Sequence, residues 1–312
     1  MAVDRSVIVI GSSGMLGADL MEALHVAGMR AVALRRPDID ISRPESIRSA
    51  LGGISSPGLV INCAAYTAVD KAESEPEAAM AANREGPAHL ADACRRVGIP
   101  LIHVSTDYVF DGKANRPYTE EDAVNPLNVY GLSKLQGEEA VRTRIFEHLI
   151  VRTSWLYGAG GQNFVKTMLR LGFEREELKV VCDQYGCPTW TFDLARCLVR
   201  MAQRVLSDSR NVRWGAYHFC GKGKTTWYRF ASAILEEANR RKPRPGGVAN
   251  VLPIPSSEYP TAAARPKYSV LDCAKIEAAF GVSPPEWKKS LARCMDRLLI
   301  SRRAPGEQGF LQ

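Results

Sequence analysis

The chain has 312 residues, 46% of them hydrophobic and 24% charged, a balance that excludes a disordered or fibrous protein and predicts a soluble globular one. The length predicts one large or two unequal domains. The net charge of +7 comes from basic residues dispersed along the sequence except in Arg240, Arg241, Lys242 and Arg244. That cluster sits beside Pro243, Pro245, Gly246 and Gly247 and reads as a solvated loop, which argues against a nucleic-acid partner.

The opening MAVDRSVIVIGSSG runs straight into a strand and a glycine turn without a secretory signal layout, and no apolar run is long enough to span a bilayer. Both observations point to the cytoplasm and away from a membrane. The eight cysteines, Cys63, Cys94, Cys182, Cys187, Cys197, Cys220, Cys273 and Cys294, show no C-x-x-C pair and no histidine at ligand spacing. They read as reduced, mostly buried thiols, with no metal site implied.

The first apolar run, residues 7–10, ends in Gly11-Ser-Ser-Gly14-Met-Leu-Gly17 and leads into a helical pattern over 18–27. Glycines so placed permit a tight turn, close approach of backbone to a pyrophosphate and close helix-sheet packing, while a helix N-terminus supplies N–H groups. Gly11, Ser13, Gly14, Met15, Leu16 and Gly17 are therefore candidate cofactor residues. Glycine turns also join strand to helix without binding anything, and the spacing is G-x-x-G-x-x-G, so context carries much of this reading.

The second run, 31–34, is followed by Arg35 and Arg36 and then Asp38 and Asp40. An acidic residue here would hold the ribose of NAD, whereas arginines would pair with the 2'-phosphate of NADP. The arginines come first and favour NADPH, with NADH open; Asp40 and Ile41 are counted as cofactor candidates, and a merely exposed charged loop is the alternative. The third run, 59–62, leads into Cys63, Ala64, Ala65 and Tyr66, further cofactor candidates. A helix over 78–97 is stopped by Gly98-Ile99-Pro100 before the fourth run, 101–105, which ends at Thr106 and Asp107.

Tyr130-Gly-Leu-Ser-Lys134 opens another helix, and a fifth run covers 149–152. Strand and helix in alternation predict an α/β fold: a Rossmann-type doubly wound parallel sheet. After Trp155 the rhythm degrades, with loops at 157–162 and 243–260, and a smaller C-terminal substrate-binding region is expected. The division is 1–155 plus about 189–217 for the NAD(P)-binding domain, 156–188 and 218–300 for the substrate-binding region, and 301–312 as a polar tail.

Tyr130, Lys134 and Thr106 suggest ketone reduction. A carbonyl receiving hydride becomes an alkoxide, and a positioned phenol can protonate it. Lys134, four residues on and so on the same helix face, would lower the tyrosine pKa from its ordinary value near ~10. Thr106 could hydrogen-bond the carbonyl oxygen. A tyrosine and lysine four apart are usually an ordinary amphipathic pair; the glycine turn and the hydroxyl at a strand end favour the catalytic reading.

With these residues the chain resembles the dTDP-4-dehydrorhamnose reductase family of extended short-chain dehydrogenases. The likeness spans almost the whole chain, through Ala65-Tyr-Thr-Ala-Val-Asp70, Ser105-Thr-Asp-Tyr-Val-Phe-Asp-Gly112, Pro126-Leu-Asn-Val-Tyr130, Arg152-Thr-Ser-Trp155, Asp183-Gln-Tyr-Gly-Cys-Pro-Thr189 and Ala264-Arg265-Pro266. The resemblance implies Thr106, Tyr130 and Lys134 as the catalytic set. It implies reduction of the C4 ketone of a nucleotide sugar, dTDP-4-dehydro-L-rhamnose, by NADPH or NADH. It places Val69, Asp70, Thr106, Asp107, Tyr130, Trp155 and Arg265 at the substrate.

On their own terms, a tryptophan can stack on a sugar or base and an arginine can pair with a diphosphate; equally, Trp155 suits a core and Asp70 a helix cap. Some family members bind Mg²⁺ between subunits through clustered glutamates. The corresponding stretches here offer Asp19 and Asp193, so neither that metal nor that dimer is carried over, although a homodimer stays open. The competing readings are another nucleotide-sugar epimerase or dehydratase, and a non-catalytic protein like the regulatory subunit of methionine adenosyltransferase.

Overall fold

Runs of β-branched residues bounded by turn signals become the strands of a parallel sheet, and helices cover it because both faces of each strand are apolar. A computed structural model describes residues 5–243 and 247–299. Arg244, Pro245 and Gly246 of the expected basic loop, the domain limit at residue 300 and the tail at 301–312 lie outside the described residues. Five strands follow the predicted runs closely: β1 (Ser6–Ile10), β2 (Ala31–Leu34), β3 (Pro57–Asn62), β4 (Leu101–Thr106) and β5 (His148–Thr153). Beyond them come β6 (Leu156–Tyr157), β7 (Glu177–Val181), β8 (Tyr185–Gly186), β9 (Thr189–Trp190), β10 (Gly215–His218), β11 (Thr225–Thr226) and β12 (Asn250–Ile254).

The main sheet has the order β2-β1-β3-β4-β5-β10, parallel throughout. The chain leaves β1 for β2 on one side and returns to β3 on the other, so the topological switch falls between β1 and β3, where doubly wound folds bind ligands at the carboxyl ends of the strands.

The helices are α1 (Met15–Val26), α2 (Pro44–Gly52), α3 (Val69–Ala72), α4 (Pro76–Met80), α5 (Gly86–Val97), α6 (Val129–Arg144), α7 (Phe164–Glu174), α8 (Thr191–Ser207), α9 (Trp227–Arg241), α10 (Ala274–Phe280) and α11 (Trp287–Leu299). Val7, Val9, Leu59 and Ile61 pack with Leu20 and Leu24 of α1, Leu194 and Leu198 of α8, and Ile276 and Phe280 of α10. Their alternates Ile8, Ile10 and Val60 meet Ile47 of α2, Leu90 of α5 and Val141 of α6 on the opposite face. A separate cluster joins Tyr157, Val165, Phe230, Ile234, Trp287 and Leu291, and so ties α7, α9 and α11 together. No described helix is long and apolar enough to cross a membrane.

Two predicted stretches differ. The expected single helix over 78–97 is interrupted by a π-helical turn at Ala81–Glu85, where Asn83 turns its side chain to the backbone of Tyr66 instead of to solvent. The expected loop at 243–260 contains β12, which pairs with β7. Pro253 within it and Pro255 after it obscure the strand signal, although an edge strand tolerates proline.

Helix α6 is fastened to the sheet by charge. Arg152 of β5 is 2% exposed and Glu138 of α6 is 0% exposed. The guanidinium donates to both carboxylate oxygens, with Nη2 to Oε2 at 2.7 Å and Nε to Oε1 at 2.9 Å. Ser105 of β4 donates a third bond at 2.6 Å. Removing one partner of a buried pair leaves the other uncompensated, so Glu138→Ala should cost about 3–5 kcal/mol of unfolding free energy. Urea unfolding checks this; a loss below about 1 kcal/mol, the range of an exposed pair, would show that the pair does not hold the helix.

Candidate active site

The glycine turn lies at the switch between β1 and β3. Gly11 has φ +75°, and a Cβ there would fall 2.8 Å from Ala64 N; one at Gly17 would fall 2.1 Å from Gly11 O. Glycine is thus required for the chain to turn and for α1 to start so close to β1. Gly14 caps α1 without a side-chain hydrogen bond, and the first turn carries no acidic residue. The N–H groups and the positive end of the helix dipole are therefore available to an anion, and the turn fits a dinucleotide pyrophosphate. Ser13 is exposed, Met15 half-buried and Leu16 buried in the core, so Leu16 could contribute only through its backbone.

Arg35 and Arg36 follow β2 and are exposed. Arg35 Nε sits 3.1 Å from Asp38 Oδ2, which also accepts from the Arg35 backbone N–H at 2.9 Å. Asp40 accepts from the hydroxyl and backbone N–H of Ser42, and those bonds hold its carboxyl below the usual range. Both acids thus shape the loop. Ile41 is buried against Gly86. Cys63 to Tyr66 follow β3: burial pushes the Cys63 thiol up to about 12, Ala64 N–H donates to Asn62 Oδ1 at 3.0 Å, and Tyr66 donates its hydroxyl to Glu75 at 2.8 Å.

Thr106 ends β4, and Tyr130 and Lys134 lie on the first turns of α6. The structure brings all three together. The Thr106 hydroxyl lies near enough to the Tyr130 phenol to favour its ionised form, donates to Asp107 Oδ1 at 3.1 Å and accepts from Tyr108 N–H at 3.2 Å. Lys134 Nζ donates to the Val104 carbonyl at 2.7 Å and lies 3.4 Å from His103 Nε2. Burial lowers Lys134 to about 8 and pushes Tyr130 up to about 12. The expected lowering of the tyrosine by Lys134 is not what sets its pKa: desolvation and the Asp107 carboxyl raise it, and only Thr106 acts the other way.

Several polar residues at this site escaped the sequence reading. Asn62 Nδ2 lies 3.1 Å from His103 Nδ1; because Asn62 Oδ1 accepts from Ala64, the amide must donate to the ring. Asn83 donates to Ser133 Oγ at 3.0 Å, and that hydroxyl donates to the Tyr130 carbonyl at 2.8 Å. For Asn62 and His103 the available signal was a polar residue inside an apolar run; Asn83 and Ser133, on helical stretches, gave none.

On the substrate side, Val69 and Asp70 form the start of α3. Asp70 accepts two hydrogen bonds from Arg265, at 2.6 and 2.9 Å, and one from Ala263 N–H at 3.1 Å. These two candidates thus meet as partners. Trp155 has φ +47°, stacks on Trp227 with centroids 3.5 Å apart and borders Gly186, where a Cβ would fall 2.4 Å from the ring. Its packing favours the core reading over an open stacking platform. Asp19 is hydrogen-bonded by Thr191 and faces Arg297 at 3.5 Å; Asp193 is bonded by Ser290 and faces Arg293 at 3.9 Å. Hydroxyls and guanidinium groups make poor company for a divalent cation.

A parallel doubly wound sheet, an open-ended glycine turn at its switch point and a Thr-Tyr-Lys constellation beside it define a Rossmann-type reductase of the short-chain dehydrogenase class. The chain belongs to the dTDP-4-dehydrorhamnose reductase family: the family model described as the RmlD substrate binding domain matches residues 5–300. A dTDP-4-dehydrorhamnose reductase of Sinorhizobium fredii is 42% identical over 295 residues, covering 94% of this chain and 97% of that protein. The solved dTDP-4-dehydrorhamnose reductase of Clostridium acetobutylicum is 40% identical with a TM-score of 0.85, over 94% of this chain and 99% of the other. That of Bacillus anthracis, solved in complex with NADP, is 38% identical with the same TM-score and coverage.

Asp107 is 2% exposed and its Oδ2 has no hydrogen-bond partner among the described residues. Burial pushes its carboxyl from 3.8 to about 7, against hydrogen bonds from Ser269 and Thr106. A raised folded-state pKa gives stability that is full below about pH 4 and lost as pH rises through about 7. Asp107→Asn should therefore gain on the wild type across that window, by up to about 4 kcal/mol. Parallel urea titrations at several pH values measure this, and a pH-independent difference would refute the raised pKa.

Proposed function

We propose that this chain reduces the C4 ketone of dTDP-4-dehydro-L-rhamnose to dTDP-L-rhamnose with NADPH, or less well NADH, in the cytoplasm, for surface polysaccharide. The observation that carries the proposal is the meeting of Thr106, Tyr130 and Lys134 at the end of β4, alongside the glycine turn, in a chain of this family. Residues 1–155 with 189–217 are assigned to the cofactor and 156–188 with 218–300 to the sugar nucleotide.

Gly11, Ser13, Gly14, Met15, Leu16 and Gly17 would hold the pyrophosphate, and Arg36, aided by Arg35, the 2'-phosphate. The dihydronicotinamide, when bound, supplies the hydride. Thr106 hydrogen-bonds the substrate carbonyl oxygen and orients it. Tyr130, kept neutral by burial, gives its proton to the alkoxide as it forms; a sugar hydroxyl is a weaker acid than the phenol, so the transfer runs downhill. Lys134, with its pKa near working pH, balances the phenolate charge and carries a hydroxyl-binding ammonium for the cofactor ribose. Arg265, positioned by Asp70, pairs with the sugar nucleotide diphosphate.

Tyr130→Phe should lower turnover of dTDP-4-dehydro-L-rhamnose by roughly 10²- to 10⁴-fold while NADPH fluorescence titration shows near wild-type affinity. Lys134→Ala should lose both. Turnover by Tyr130→Phe near the wild-type rate would move the proton donor elsewhere.

The paired change Arg35→Ala and Arg36→Ala should weaken NADPH by about 10- to 100-fold, as loss of a charge-assisted hydrogen bond or two implies, and leave NADH little affected. An equal loss for both cofactors would mean that the arginines do not read the phosphate.

A further inference from the structure

Three of the eight cysteines converge, although they are far apart in sequence. Cys220 follows β10 and Cys273 immediately precedes α10, and their sulfurs lie 3.8 Å apart. Cys220 Sγ also lies 3.7 Å from the Leu271 carbonyl and Cys273 Sγ lies 4.0 Å from that of Cys220, so the two backbone segments run side by side. Cys187 lies close enough to Cys220 to help push its thiol up. All three line a cavity of about 650 Å³ whose wall also carries Arg116, Lys222 and Lys224. Cys220 and Cys187 are each 2% exposed, whereas Cys273 is partly exposed.

Thiols in contact need only a small approach to reach bonding distance, and the wall is polar and of mixed charge, with Asp272 and Glu277 beside Lys222 and Lys224 and with Arg116 paired to Asp122. A cavity gives a small polar oxidant a way in. We propose that Cys220 and Cys273 form a peroxide-responsive dithiol, with Cys273 as the entry thiol. The Cys273 thiolate attacks one oxygen of hydrogen peroxide, the O–O bond breaks, and a sulfenic acid and water result. Cys220 sulfur then attacks the sulfenic sulfur, the S–O bond breaks, and a second water leaves. Both thiols are oxidised and one peroxide is reduced, with the two thiol protons carried off in two waters.

The site bears on the substrate side of the fold. The segment before Cys273 is bonded to Tyr118 through Val270 O at 2.8 Å and Asp272 N–H at 2.7 Å, and its Ser269 lies near enough to Asp107 to favour the ionised carboxyl. A disulfide would fasten the end of this segment to the strand extension beyond β10.

The test uses the full-length, fully reduced protein and a few equivalents of hydrogen peroxide, followed by thiol titration in denaturant, intact mass and a non-reducing peptide map. The expected result is loss of two thiols per chain, a mass decrease of about 2 Da, a linked Cys220–Cys273 peptide pair, and full recovery with dithiothreitol. Cys273→Ser, a conservative change at a partly exposed position, should retain all its remaining thiols under the same treatment. A disulfide at any other pair would overturn the proposal. So would oxygen addition without the linked species, or no thiol loss.

Discussion

The placement of α6 rests on a buried ion pair, Arg152 with Glu138, which fixes the helix where the apolar contacts of Leu135 and Val141 alone would not set its register. Its buried face joins the apolar Leu135, Ala140 and Val141 to Gly131, Ser133, Lys134, Gly137 and Glu138, so small and polar residues make up much of the contact. The bidentate pair, closed by Ser105, adds a directional constraint across β4 and β5. Small residues supply the closeness: a Cβ at Gly137 would fall 2.0 Å from the Asn83 carbonyl in the π-helical turn. That turn and α6 are therefore fitted to each other, and Asn83 reaches Ser133, whose hydroxyl bonds the Tyr130 carbonyl. The phenol and the ammonium inherit their placement from this packing.

Burial also sets the electrical state of the site. Lys134 falls to about 8 and Tyr130 rises to about 12, each driven toward its neutral form by the same loss of water. A neutral phenol is what protonation of an alkoxide needs, so the high pKa suits the role proposed for Tyr130. His103 adds to the effect on the lysine. With Nδ1 accepting from Asn62, a neutral ring carries its proton on Nε2, the nitrogen that faces Lys134. The ammonium thus meets an N–H where it would otherwise find an acceptor, while the Val104 carbonyl remains its partner.

How much of this was legible follows from range. The strands and the glycine turn were readable because apolar runs and turn chemistry are local signals, and β2 and the start of α6 fell where the pattern put them. Tyr130 and Lys134 were readable as a pair one helical turn apart. What was not readable depends on residues brought together by the fold. Asp70 meets Arg265 across most of the chain, and Trp155 finds Trp227 only once α9 has packed. The rise of the tyrosine pKa by burial was likewise hidden, since spacing reveals a neighbour but not the water removed around it.

The two halves of the site meet at the N-terminus of α6, which gives the substrate side a mechanical link to the proton donor. Asn128 caps that helix, accepting from Gly131 N–H at 2.7 Å, and donates through Nδ2 to the Ala264 carbonyl at 2.7 Å. The residues on either side of Ala264 are held as well: Ala263 N–H and the Arg265 guanidinium both bond Asp70 on α3. Nearby, Glu73 accepts from Val129 N–H at 2.9 Å. A short piece of the C-terminal region is thus clasped between α3 and the cap of the helix that carries Tyr130. A diphosphate drawing Arg265 from Asp70 would replace one anion with another at the same guanidinium, leaving the Asn128 bond to keep that piece registered on α6. Tyr130 and Arg265 are therefore positioned relative to each other through the Asn128 side chain's bond to the Ala264 carbonyl, which does not depend on which anion the guanidinium meets.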